Sequence, residues 1–259
     1  MRLVNNNLKD VYMSYCVALK LSDGMIFMSD TLTNGGLDNI SQYPKTFSWG
    51  IEGERQIFLA TAGNLATSQA VISTLSEQTR MQDERSPSIL QAPTMFQVAR
   101  TISETLAQII DVTTKGQQMG ERAFSATFIL GGQIKGGRER LYLIYPEGNF
   151  IEVSEENPFF QIGETKYGRP ILIRGFEPNM SFEDAIKLLM VSFDSTIKAN
   201  LSVGPPLDIH IYKKDSLESA HVIKIHSKDP YFNMISNEWG KALKDSLATL
   251  PSYKFDAEE

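Results

Sequence analysis

Strand-like segments fall into two blocks separated by a pair of amphipathic helices. That order restricts the 259-residue chain to a layered architecture in which sheets lie between helices. The first block opens at Ser14 with SYCVALKL, turns at Ser22-Asp23-Gly24 and returns as MIFMSD, both runs rich in β-formers and apolar residues. Thr33-Asn34-Gly35-Gly36 leads through a loop to Lys45-Thr46-Phe47-Ser48-Trp49, and a turn from Gly50 to Gly53 enters RQIFLATAG. Apolar residues three and four apart predict helices over residues 64–79 and 95–112, joined by a polar surface loop with two prolines. Strands return with AFSATFILGGQI, RLYLIYP and NFIEVS. A third helix starts where Ser181 and Asp184 form a capping-box-like pair before AIKLLMVSFDSTIKA. LDIHIYKK and AHVIKIH then precede a helical stretch around residues 235–247.

Composition narrows the function classes. With 25 basic against 31 acidic residues the net charge is −6, which offers nucleic acid and anionic membranes no overall attraction. No apolar run approaches the roughly 18 residues of a membrane span. Residues 1–13, MRLVNNNLKDVYM, lack the apolar core of a secretory signal and read as a leader or a mis-assigned start, leaving 14–259 as one domain. Cys16 is the single cysteine, so no internal disulfide forms and a reducing, cytoplasmic compartment is expected. In its apolar run it reads as a buried hydrophobe. His210, His221 and His226 lack ligand spacing, and one cysteine cannot complete a zinc site, so neither metal nor cofactor is expected. GGQIKGG lacks the G-K-[ST] ending of a phosphate loop and reads as a hairpin turn.

Over residues 14–45, 61–66 and 160–208 the chain resembles the proteasome β-subunit superfamily. The segments QIGETKYGRPIL and NLSVGPPLD are similar to the bacterial Anbu branch, the ancestral β-subunits, and that likeness extends over nearly all of the chain from Met13 onward. The resemblance implies a four-layer αββα sandwich of the N-terminal-nucleophile hydrolase type. It also implies self-assembly into ring-like or open helical homo-oligomers, for which apolar patches on the helices around residues 64–112 are candidates.

The chemistry of that fold makes one residue both nucleophile and base: a hydroxyl attacks a carbonyl while the residue's own free α-amine takes the proton. An α-amine with a pKa of about 7.7–8.0 suits that role, whereas a peptide nitrogen has no usable basicity. The resemblance assigns the nucleophile to Ser14, where most relatives carry threonine. Ser14 therefore has to become the first residue, either by trimming after translation from Met13 or by self-cleavage of a 13-residue propeptide. Lys45 is assigned to lower the pKa of the hydroxyl and amine, Asp30 to hold that lysine charged, and Gly63 to supply an oxyanion N–H before a helix. Ser202, in an S-x-G segment, is assigned to orient the amine.

Lys45, Asp30 and Gly63 each have a plainer alternative: a solvated lysine after Tyr43-Pro44, a strand-end aspartate, an ordinary glycine before a helix. Two positions depart from the proteasome pattern. Ala199 stands where an aspartate precedes the serine, with Asn200 and Asp194 as the nearest polar substitutes, and Gln161 replaces a serine. The expected activity is hydrolysis of an amide bond in a peptide or peptide-like substrate. The rivals are a catalytically silent assembly subunit and an amidase for non-peptide amides.

Overall fold

The computed structural model describes residues 14–34, 40–80, 88–115 and 121–255. The leader expected at 1–13 lies outside the described residues. Two five-stranded antiparallel sheets form the centre. The first has the order β10-β1-β2-β11-β12, from β1 (Tyr15–Leu21), β2 (Gly24–Asp30), β10 (Phe159–Gly163), β11 (Leu207–Lys213) and β12 (His221–Ile225). The second runs β5-β6-β7-β8-β9 in chain order, from β5 (Thr46–Ile51), β6 (Arg55–Gly63), β7 (Ala126–Ile134), β8 (Arg140–Ile144) and β9 (Phe150–Glu152).

Strand pleating separates the core into three layers. In β1 the odd residues Tyr15, Val17 and Leu19 pack against helices, while Cys16 and Ala18 face the second sheet with Phe27, Phe58, Ile129 and Tyr212. A strand covered on both faces has no polar side to show, which is why SYCVALKL and MIFMSD read as continuous apolar runs rather than as alternation. Helices α1 (Leu65–Arg80) and α2 (Met95–Thr114) cover the second sheet through Val71, Leu75, Val98, Ile102 and Leu106. Helices α3 (Thr165–Gly175), α4 (Phe182–Ala199) and α5 (Pro230–Thr249) lie on the first, with Leu172, Leu189, Phe193 and Phe232 buried there. The result is the four-layer αββα sandwich.

Several elements match their sequence signals closely. Asn64 caps α1 by accepting from the Thr67 N–H at 2.9 Å, and Ser181 caps α4 through the Asp184 N–H at 3.1 Å. Helix α5 begins five residues earlier than its periodicity indicates, because Asp229 accepts from the Phe232 N–H at 2.9 Å and Pro230 fits the first turn. Helix α3 carries Gly168 and Pro170, the two residue types that weaken a helical pattern, so its residues announce no helix. The segment expected as a loop before Lys45 holds a short ladder of β3 (Leu32–Asn34) with β4 (Ile40–Gln42).

Candidate active site

Residue 14 is fixed by its neighbours on both sides. Its carbonyl accepts from the Glu164 N–H at 2.8 Å, and the next N–H, of Tyr15, donates to Asp30 Oδ1 at 2.9 Å. The approach of β10 at this point needs glycine: Gly163 has φ +82°, and a Cβ there would lie 1.9 Å from the Ser14 carbonyl oxygen. Tyr15 locks the other face. Its ring lies 4.5 Å from that of Phe193, and its hydroxyl bonds to Ser192 Oγ at 2.8 Å and accepts from Gln161 Nε2.

Asp30 ends β2 with no solvent exposure, and Lys45, immediately before β5, is 5 % exposed. Lys45 Nζ donates to Asp30 Oδ1 at 2.7 Å and to the Leu32 carbonyl at 2.6 Å. The solvated alternative for Lys45 is thereby excluded. Burial pushes the Asp30 carboxyl up from its usual 3.8 to about 6, against the opposing pull of Lys45 and of the Tyr15 and Gly204 N–H groups. One carboxylate oxygen thus links the backbone beside residue 14 to the ammonium. The Lys45 carbonyl in turn accepts from the Thr61 N–H at 2.8 Å, which ties the lysine to the strand ending in Gly63.

Gly63 closes β6 just before the Asn64 cap of α1. Its φ is +112°, and a Cβ would lie 2.5 Å from the Ser125 carbonyl oxygen. Ser14, Lys45 and Gly63 line the same pocket, of about 910 Å³. The structure therefore brings together four of the five expected residues, Ser14, Lys45 and Gly63 at the pocket and Asp30 behind them.

Ser202 is placed differently. Among the described residues it does not line the pocket; its N–H donates to Asn200 Oδ1 at 2.9 Å. The contact with the site comes from the same loop two residues on, where Gly204 N–H faces the Asp30 carboxylate, and the Pro206 carbonyl accepts from Thr31 N–H at 3.0 Å. Of the substitutes for the missing aspartate, Asn200 organises this loop, whereas Asp194 is paired with Lys198 at 2.9 Å. Sequence reasoning passed over Glu164, whose backbone holds residue 14, and Tyr15; the signal was a glycine at a strand end directly before a helix.

Cys16 is fully buried, its S–H donates to the Thr61 carbonyl at 3.4 Å, and burial pushes its thiol pKa well up, so it behaves as the expected hydrophobe. Among the described residues no group of His, Cys, Asp and Glu is arranged to hold a metal ion. No helix there is long and apolar enough to cross a membrane.

Two sandwiched sheets between helical layers, with a buried lysine–aspartate pair behind the first residue of an inner strand, define a proteasome-type subunit. Residues 14–211 match the family model described as proteasome subunit. Solved structures agree over most of the chain. Anbu from Hyphomicrobium sp. strain MC1 is 42% identical with a TM-score of 0.86, covering 93% of this chain and 100% of that one. Anbu (ancestral β-subunit) from Yersinia bercovieri is 40% identical, TM-score 0.86, covering 94% and 100%. The helical assembly of the Anbu complex from Pseudomonas aeruginosa is 41% identical, TM-score 0.86, covering 93% and 98%. No curated protein matches the chain. The chain belongs to the proteasome-subunit family, in its Anbu (ancestral β-subunit) branch.

Proposed function

We propose that this protein is an N-terminal-nucleophile hydrolase of peptide or peptide-like amide bonds, acting through Ser14 once its α-amine is free. The observation that carries the reading is the buried Lys45–Asp30 pair at 2.7 Å, whose acidic oxygen also holds the Tyr15 N–H while the lysine lines the Ser14 pocket. Burying two charges costs several kcal/mol per ion, roughly, and a surface lysine would serve stability as well. A positive charge kept there lowers the pKa of a neighbouring hydroxyl and amine and stabilises developing negative charge.

In the reaction, the Ser14 hydroxyl passes its proton to its own α-amine as the oxygen adds to the substrate carbonyl. The Gly63 N–H donates a hydrogen bond to the developing oxyanion. Collapse of the adduct breaks the C–N bond, the departing amine takes the proton from the α-ammonium, and an ester on Ser14 remains. Water activated by the same amine then hydrolyses that ester. Asp30 is a positioning residue, acting through Lys45, and the Ser202–Gly204 loop positions Asp30 in turn. The chain works in the cytoplasm and self-assembles, as its relative from Pseudomonas aeruginosa does in a helical assembly.

The test combines N-terminal sequencing of the natively expressed protein with an electrophile that reacts with both a hydroxyl and an α-amine. A chain beginning at Ser14 should gain one adduct by intact mass, and Ser14→Ala none. Absence of an adduct in a preparation that begins at Ser14 overturns the hydrolase reading.

A further inference from the structure

The pocket in front of Ser14 carries its charges at opposite ends. Of the described residues that line its volume of about 910 Å³, only Lys45 and Glu147 are formally charged. Lys45 is committed to Asp30, and the nearby start of α1 has no acidic residue in its first turn, so its unpaired N–H groups add to the positive end. Glu147 is exposed and forms no ion pair with any described residue. Its negative charge at the rim is therefore uncompensated.

The turn that carries Glu147 is held in place. The Tyr145 N–H donates to the Asn149 carbonyl at 2.9 Å, and the Gly148 N–H donates to the Tyr145 carbonyl at 3.0 Å. Gly148 has φ +82°, and a Cβ there would come within 2.8 Å of Ala107 on α2, so the turn lies directly against that helix. Just beyond it the Phe150 ring packs on those of Phe96 and Tyr142, at 5.4 and 5.6 Å. Sheet geometry then sets the separation of the two ends. Gly63 lies opposite Ala126 on β7, and β8, which leads into the turn, pairs with the other side of β7. Two strand spacings of about 4.8 Å and the turn itself put Glu147 roughly 10–15 Å from the Gly63 N–H. An extended peptide covers that distance in about three or four residues.

We infer that the site selects peptides carrying a cationic side chain, lysine or arginine, three or four residues from the bond that is cut, and that Glu147 is the specificity-determining residue. The inference rests on the hydrolase reading proposed above and goes beyond it by naming the substrate class. A substrate of this kind places its reacting carbonyl at the electropositive end and its cation at the electronegative one, and complementary charges of this sort act on selectivity more than on raw affinity. An acidic side chain at the same position meets a like charge instead. Because the carboxylate is exposed, the rim reads charge rather than shape, and salt weakens what it reads.

Acetylated peptide electrophiles that react with both a hydroxyl and an α-amine test it. Each is built of alanine except for lysine, norleucine or glutamate at the third or fourth residue from the reactive carbon. Adduct formation at Ser14 is followed by intact mass in the wild type, Glu147→Gln and Glu147→Lys, all beginning at Ser14. In the wild type the lysine peptide should outpace its norleucine counterpart by about two- to fivefold, the range of one solvent-exposed ion pair, with glutamate slowest. The preference should fade in about 1 M salt, vanish in Glu147→Gln and invert in Glu147→Lys. Ratios taken within one variant cancel any general change in reactivity. Equal rates in the wild type, or a lysine preference that persists in both variants, overturn Glu147 as the determinant and leave the hydrolase reading intact. A wild-type chain beginning at Ser14 that none of the peptides labels overturns the hydrolase reading, and the inference with it.

Discussion

Replacing Lys45 by methionine tests whether the site is built around a charge pair. At 2.7 Å the direct attraction of the two charges is about 6 kcal/mol at an effective dielectric of about 20. Desolvation of two side chains that are 6% and 0% exposed offsets most of that, so the intact pair adds little net stability. Breaking it is different, because the carboxylate of Asp30 is left buried without its counter-ion, at a cost of about 3–5 kcal/mol. For a domain of this size that corresponds to a fall in Tm of roughly 6–20 °C. Asp30→Asn keeps an oxygen to accept from Tyr15 N–H but strands the ammonium, and the double variant strands neither. Urea unfolding followed by the fluorescence of Trp49 and Trp239 supplies the cycle. The double variant should be more stable than the sum of the single losses indicates, by about 2–3 kcal/mol. The Lys45→Met loss should also grow with pH, since at low pH the orphaned carboxyl takes up a proton. Additivity within about 0.5 kcal/mol would refute the coupling on which the site depends.

Acidification should separate activity from stability. The proposed hydrolysis needs both a neutral α-amine and an ionised Asp30, so log kcat/KM against pH should steepen from a slope of roughly 1 to roughly 2 below about pH 6. Stability moves the other way: folding raises the affinity of Asp30 for its proton, so its own contribution is greatest below about pH 3.8 and declines as pH rises through about 6. Rate profiles and denaturant midpoints over the same pH range check both signs. Gly163→Ala costs at least about 1–2 kcal/mol from the left-handed conformation alone. Its Cβ also meets a backbone oxygen, so residue 14 shifts and electrophile labelling there should slow by an order of magnitude or more. In native protein Cys16 should resist thiol reagents that modify it at once in denaturant, measured by thiol absorbance.

Periodicity and turn residues determined most of the layers. The strand runs from Ser14 to Gly63, the stripes of α1 and α2 and the cap at Ser181 are local patterns, and local patterns survive in a linear string. Helix α3 did not, because its Gly168 is required by a contact with Tyr15 Oη, where a Cβ would come within 2.1 Å, and not by its own helix. Ser14, Lys45, Asp30 and Gly63 were marked as a set by family resemblance, while the residue types of Lys45, Asp30 and Gly63 alone left those three open to a solvated or structural role. The tertiary structure adds their placement: Lys45 is buried against Asp30, and Ser14, Lys45 and Gly63 line one pocket. It closes β1 on β2, and β5 on β6, so that Tyr15 and Lys45, each 15 residues from Asp30 in sequence, share one of its carboxylate oxygens. The same folding directs Ser202 toward Asn200 and leaves Gly204 to face Asp30. Burial, which turns an ordinary lysine into a committed partner, depends on what the rest of the chain places around it, and no stretch of sequence carries that by itself.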